Sequence, residues 1–328
     1  IVDDTEDKNI RYVGANPANY VYFNCEDIYE GVSYGSNGYD YDSACEIWRI
    51  IGVFDVAKTV GGATEKRIKI VREPFTDSQG NILRMSWDSS AETINEGWGI
   101  NQWGETDSYE GADLMRMLNV YYMGESTTCT YCKGSKQAKC ENDCSNDIIP
   151  LKNASKRMVD NALWNLGATE YSADLLLSTM YEGERGTLTG KGCSATNSDG
   201  SANSYCNDAI ERKTSWLGRI GLIYVSDYAY ASTDDNCVSD IIGSDSSCNQ
   251  NNWLYPNSVV YWPITPVIYP ESDTPGVATY VWSINLTTSA TDYGNAYSYR
   301  SVRPTLYLRS NVQIIGGNGG DEPFKLLI

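Results

Sequence analysis

Glu46-Ile47-Trp48-Arg49-Ile50-Ile51-Gly52-Val53-Phe54 and Lys66-Arg67-Ile68-Lys69-Ile70-Val71, joined across a turn at Gly61-Gly62, decide the fold. Both runs are dense in β-branched and aromatic residues and free of proline, so they read as two strands that pair with each other. Two strands alone do not make a stable body. The segment Ile82 to Trp87 supplies a third, and Tyr20-Val21-Tyr22-Phe23, within Tyr12 to Cys25, reads as another. Ile1 to Asn9 is acidic and polar, an exposed lead-in unless its apolar ends are captured elsewhere.

Further along, the period changes. Leu114, Met117, Leu118 and Tyr121 fall on one face of a helix predicted over Asp107 to Tyr122, with Asp113 suited to its positive end. A second helix is expected over Asn153 to Leu166, where Met158, Val159, Ala162, Leu163 and Leu166 recur at steps of three and four before Gly167 stops it. A shorter one follows at Ala173 to Met180. The chain then returns to strand-like runs at Arg219 to Val225, Val259 to Trp262, Thr279 to Ile284 and Thr305 to Leu308. A Gly-rich turn from Gly316 leads into a short terminal strand. Helices flanked by strands, without regular alternation, predict an α+β domain. None of the Gly-rich acidic loops has the composition of a linker between independent bodies. The expected organisation is therefore an extension or assembly strand over residues 1–22 and one elaborated globular domain over 23–328, with loop insertions.

The chain has 328 residues, with 25 basic against 43 acidic side chains and a formal charge of -18. That field repels phosphate backbones and anionic membrane surfaces, so nucleic acid is not an expected partner. No run of 18 apolar residues occurs, so no membrane contact is expected of the chain as given. Histidine is absent. The usual triad base and the commonest zinc ligand are missing with it.

Ten cysteines fall in local groups on an acidic, Tyr-, Ser- and Asn-rich background, which predicts disulfides and an oxidising, extracellular compartment. The expected pairs are Cys25 with Cys45, Cys193 with Cys206, Cys237 with Cys248, and Cys129 with Cys144 around Cys132 with Cys140. The last group also has the spacing of a four-thiolate zinc knuckle. Hard oxygen ligands also suit calcium, with Asp234, Asp235 and Asp240 as candidate ligands, and Asp143 and Asp147 flank Cys144. No other cofactor is implied.

Candidate chemistry is sparse. Glycoside hydrolysis needs only two carboxyl groups on either side of the bond, and Asp40 with Asp42, Glu92 with Glu96, or Glu182 with Glu184 can be nominated. No catalytic set stands out. Among the aromatic residues, Trp48, Trp262 and Trp282 sit inside strand-like runs and read as core. Trp98, Trp103 and Trp253 lie among Gly, Asn and Gln and are the binding candidates, for a glycan or a protein surface. Arg49, Arg300 and Arg303 are expected to tie carboxylates or backbone carbonyls.

Five stretches carry a resemblance. They are Trp48 to Phe54; Trp98 and Trp103 ahead of Leu114 to Asn119; Gly221-Leu222-Ile223-Tyr224-Val225-Ser226-Asp227-Tyr228-Ala229; Trp262-Pro263-Ile264-Thr265-Pro266; and Arg300-Ser301-Val302-Arg303-Pro304-Thr305-Leu306-Tyr307-Leu308 with the Pro323-Phe324-Lys325-Leu326 ending. Together they resemble extracellular domains of bacterial prepilin-like and other surface proteins. The C-terminal phrase is similar to C-type-lectin-like, formylglycine-enzyme-like domains. The resemblance implies export to the bacterial cell surface or a pilus. It also implies a globular head or filament subunit that self-associates and adheres, rather than an enzyme. The different-class alternative is an extracellular carbohydrate-active enzyme using paired carboxylates. One departure is that the long apolar helix of prepilin-like proteins is absent from these residues. The expectation is that it was trimmed, or that residues 1–22 assemble by strand donation.

Overall fold

The computed structural model describes residues 1–89, 99–105, 109–131, 142–170, 175–185, 214–233, 249–255, 259–268, 279–285 and 291–328. Its centre is an antiparallel six-stranded sheet. Along the main path the order is Ile10–Arg11, Glu46–Ala57, Thr64–Arg72, Thr305–Tyr307 and Ile220–Gly221, and Tyr20–Phe23 joins Glu46–Ala57 beside Ile10–Arg11. The runs Glu46 to Phe54 and Lys66 to Val71 are thus neighbours, with Trp48 opposite Arg72 and Phe54 opposite Arg67. The fold is α+β with short helices between strands.

The twelve-residue strand Glu46–Ala57 holds two partners along one edge, Tyr20–Phe23 against its first half and Ile10–Arg11 against Gly52 and Val53. The change of partner occurs at a β-bulge between Ile50 and Gly52, which adds a residue and bends the strand. Backbone groups beside the bulge find partners in the N-terminal segment. The Ile50 N–H donates to the Asn19 carbonyl, the Asn19 side-chain amide donates back to the Ile50 carbonyl at 2.7 Å, and Tyr12 N–H donates to Ile51. Arg49 donates to the Asn19 side chain at 2.8 Å and, as expected of an arginine inside a strand, to a backbone carbonyl, that of Pro17 at 3.3 Å.

Ile10–Arg11 and Tyr20–Phe23 pair with Glu46–Ala57 of their own chain, so donating them to a neighbour requires that they leave this sheet. The terminal amine donates to the Arg11 carbonyl, and Arg11 N–H returns a bond to Ile1. The C-terminal hairpin Gln313–Gly316 with Lys325–Leu327 is stitched to Tyr20–Phe23 by bonds between Phe324, Tyr20 and Tyr22.

Burial follows from the sheet being covered on both faces. Trp48, Trp87, Trp103, Trp164, Trp262 and Trp282 are all fully buried, so Trp48, Trp262 and Trp282 are core as read. Leu114, Met117, Leu118 and Tyr121 are buried too, but their helix begins at Asp113 and widens to a π-helix over Met117–Tyr122. The predicted helix Asn153 to Leu166 is corrected: it ends after Asn153–Lys156, and Ala162–Asn165 is a strand paired with Ser215–Gly218, Trp164 opposite Trp216. Ala162, Trp164 and Leu166 are buried at alternate positions, a strand period that steps of three and four imitate over a short run. The next helix lies at Leu177–Glu184, later than expected. Within Arg219 to Val225 only Ile220–Gly221 is strand, and Val225 opens a helix to Ala229.

The Cys25–Cys45 and Cys129–Cys144 disulfides form as expected. The second consumes two of the four thiols that a zinc knuckle would need. Cys132, Cys140, Cys193, Cys206, Cys237 and Cys248 lie outside the described residues. Among those residues no helix is long and apolar enough to cross a membrane.

Gly52 is where the N-terminal strand meets the sheet most closely: a Cβ there would lie 2.1 Å from the Ile10 carbonyl oxygen. Gly52→Ala should push Ile10–Arg11 off the edge and cost about 2 kcal/mol, the usual scale for overpacking. Thermal unfolding together with amide exchange at residues 10–12 measures it; protection there equal to wild type would contradict the close contact.

Candidate functional site

Two features stand out: a buried chain of charges, and the clefts around it. The chain begins at Asp3, whose carboxylate accepts from Thr5 at 2.6 Å, the Asn9 backbone at 3.0 Å and Arg11 Nε at 2.6 Å. Arg11 reaches on to Asp227 Oδ1 at 2.8 Å, and the other Asp227 oxygen meets Lys69 Nζ and the Tyr224 N–H. Four charged side chains from residues 3, 11, 69 and 227 are thus joined with almost no exposure.

Local sequence explains the arrangement. Lys69 alternates with Ile68 and Ile70, so it points to the face opposite theirs, where helix Val225–Ala229 lies. Asp227 caps that helix, accepting from Tyr224. Rings line the space around Nζ: Tyr224 at 4.2 Å, Tyr307 at 5.2 Å, and Trp164 and Phe54 each at 5.4 Å to the centroid. Burial pushes Lys69 down to about 8 against the pull of Asp227. Burial alone would raise Asp227, but the charges of Lys69 and Arg11 hold it below the ordinary aspartate value. Beside it Glu184 is raised by burial, opposed by its bonds from Ser226 and Thr265.

Among the described residues, clefts open on the surface in two places. One of about 340 Å³ lies between the N-terminal segment and helix Leu177–Glu184, walled by Asp4, Asp7, Tyr181, Arg185 and Tyr230. In it Arg185 Nε donates to Asp7 at 2.9 Å and stacks on Tyr181. The others, of about 310 and 420 Å³, share Arg116 and Val120 of the helical segment and form two lobes beside it. Trp216 walls the larger lobe and donates to Glu105 at 3.1 Å. Arg116 pairs with Glu110 and Asp113, and Arg219 with Glu125. Val120, 43 % exposed, is the apolar residue where the lobes meet. An indole wall with fixed charges and amides can hold a ligand rich in hydrogen-bonding groups.

The residues singled out from sequence are distributed otherwise. Trp103 is 1 % exposed and packs its ring 5.1 Å from Trp87 and 6.2 Å from Trp216. Trp253 is 6 % exposed, donates to the Tyr12 carbonyl at 2.9 Å and lies under Arg49. Both rings are engaged in packing where exposed recognition was expected. Trp98 and the calcium candidates Asp234, Asp235 and Asp240 lie outside the described residues, as do Glu92 and Glu96. Asp40 caps helix Tyr41–Ala44 and Asp42 accepts from Tyr22, each held locally. Glu184 is bonded inward, while Glu182 lines the cleft beside the N-terminal segment. Among the described residues no group of three or more His, Cys, Asp or Glu is placed to hold a metal. The buried chain Asp3, Arg11, Lys69 and Asp227 was not read from sequence, nor was Trp216, and Glu184 was nominated only as half of a carboxylate pair with Glu182. The available signal was the placing of Lys69 and Asp227 inside otherwise apolar runs.

Compared with family models, with curated proteins and with solved structures, the chain matches none.

Two predictions follow from this geometry. Burial would raise Asp3, but its bonds from Arg11, Thr5 and Asn9 hold it below the ordinary value near 3.8. Its contribution is therefore complete above about pH 4 and disappears as pH falls through the lower folded value. Asp3→Asn should cost about 3 kcal/mol at pH 7, since Arg11 loses a buried partner. The gap to wild type should narrow below about pH 4, which unfolding midpoints across pH would measure. At Gly218, an added Cβ would fall 1.9 Å from the Trp216 ring. Gly218→Ala should displace that indole and red-shift tryptophan emission; an unchanged spectrum would place the ring elsewhere.

Proposed function

We propose that the protein is an exported, disulfide-bonded head of a bacterial surface filament or related surface protein, working by binding and assembly rather than by catalysis. The observation that carries this reading is the pair of disulfides. Cys25–Cys45 closes the segment that carries the turns at Gly31 and Gly38, and Cys129 and Cys144 join beside the lobe lined by Thr128 and Thr130. Bonds of this kind persist in oxidising compartments and restrict the unfolded chain where rescue by chaperones is absent.

The rest of the molecule fits the same role. A core with six fully buried tryptophans among the described residues holds the cleft walls rigid, and rigidity lowers the ordering cost of binding. The two-lobed cleft at Arg116, Val120 and Trp216 is the proposed contact surface, for a glycan or protein ligand. Assembly of copies is opposed by a formal charge of -18 on each. Salt screens that repulsion over about 8–10 Å at physiological strength.

Electron microscopy and sedimentation of non-reduced protein across ionic strength test the assembly half. The expected result is oligomers or filaments that appear as salt rises and repeat with a subunit of this chain's mass. A monomer at every salt concentration, with both disulfides mapped, would remove assembly by this chain alone.

A further inference from the structure

We propose that the larger lobe of the two-lobed cleft takes an extended peptide of another protein, which pairs as an added strand with the free edge of Ser215–Gly218. This rests on the reading of that cleft as the contact surface and names its partner. Ser215–Gly218 pairs on one side with Ala162–Asn165, and among the described residues no strand pairs with its other side. The ladder shows which backbone groups are left over. Leu166 N–H donates to the Thr214 carbonyl at 2.8 Å, while Asn165 N–H turns away from the pair to the Tyr224 hydroxyl at 2.7 Å. Bonded residues alternate along an antiparallel pair, so Trp216 and Gly218 bond inward, to Trp164 and Ala162. The N–H and C=O of Ser215 and Leu217 therefore point outward, and among the described residues they meet no backbone partner.

The same strand walls a groove. The lobe of about 420 Å³ is bounded by residues 216–219 on one side and by Met115, Arg116, Asn119 and Val120 of the helical segment on the other. Asn119 fixes the spacing of the walls: its side-chain amide donates to the Ile220 carbonyl at 2.8 Å, and its oxygen accepts from the Ile220 N–H at 3.0 Å. A groove between a strand edge and a helix suits a chain in extended conformation. Main-chain bonds to the edge supply affinity, and alternate side chains of the guest supply selectivity. Here Met115 and Val120 offer those side chains an apolar contact.

Charge decides between occupants. Glu105, Glu110 and Glu125 line the lobe against Arg116 and Arg219, and both arginines are already paired. A second copy brings a further formal charge of -18, whereas a peptide with a lysine or arginine beside its apolar residues is attracted. A glycan lacks the repeating amide that a strand edge matches.

Panning a random heptapeptide display library on the wild-type protein, followed by synthesis of a selected peptide, tests this. Remade with each amide N-methylated in turn, the peptide should bind about tenfold more weakly at every second position and little changed between them. Its binding should protect the Leu217 amide from exchange. Leu217→Pro removes the outward N–H and spares the ladder to Ala162–Asn165, so it should weaken binding by a similar factor. A peptide that tolerates N-methylation throughout, or leaves Leu217 exchanging freely, would overturn strand pairing whether or not the variant folds. Protection of Leu217 that rises with protein concentration alone would put a second copy there and overturn it too. If only a panel of soluble oligosaccharides binds, the peptide proposal fails and the contact-surface reading stands; if neither binds, both fail.

Discussion

The Asp227 carboxylate carries two buried cations, and much of the fold is arranged around that fact. Arg11 reaches it from the N-terminal strand and Lys69 from the centre of the sheet. Asp3 closes the chain on the far side of Arg11, so two positive and two negative charges balance out of reach of bulk solvent. Such a cluster is costly to bury and more costly to break, because any partner left alone is an uncompensated charge in a low-dielectric interior. The aromatic sheath keeps the field inside. The backbone follows: Ile1 to Arg11 folds back on itself because Asp3 and Arg11 must share one carboxylate-guanidinium contact.

This explains why an acidic, polar lead-in is ordered. Read alone, Ile1 to Asn9 has nothing to hold it, and its apolar residues Ile1 and Val2 do remain exposed. What captures the segment is Asp3, one acidic residue among several that look equivalent in sequence. Selection among like residues is a tertiary effect. It depends on Arg11 lying across a bulged strand whose irregularity, between Ile50 and Gly52, leaves no mark in hydrophobic pattern.

The legible parts were those where local pattern and tertiary demand agree. The pairing of Glu46–Ala57 with Thr64–Arg72 shows in composition because nearly every residue between Trp48 and Phe54 is apolar and buried from both faces. The local disulfides Cys25–Cys45 and Cys129–Cys144 show because short separations leave few alternatives. The strand Ala162–Asn165 was hidden because Ala162, Leu163 and Leu166 satisfy a helical spacing too. Its true partner, Ser215–Gly218, lies more than fifty residues away, and Trp164 opposite Trp216 is a contact that no local window contains. Lys69 was hidden for another reason. A lysine in a strand reads as a solvent-facing position, and only the rings of Tyr224, Tyr307 and Trp164, from three distant segments, make it an interior one.

The buried cluster also bears on what the proposed contact surface would ask of a ligand. Asp3, Arg11, Lys69 and Asp227 cancel one another inside, so none of the chain's formal charge of -18 is neutralised by them on the outside. Arg67 is withdrawn as well, its guanidinium donating to the carbonyls of Leu308 and Asn161. Exposed basic charge is therefore scarcer than composition suggests. Arg116 and Arg219, which flank the Trp216 lobe, matter more for that reason: each is already answered by a carboxylate, Glu110 and Glu125 respectively. A ligand there cannot rely on unsatisfied positive charge for affinity. It must offer hydrogen bonds to charges held in place and an apolar face for Val120 and the indole, a demand of shape and desolvation that long-range attraction cannot meet.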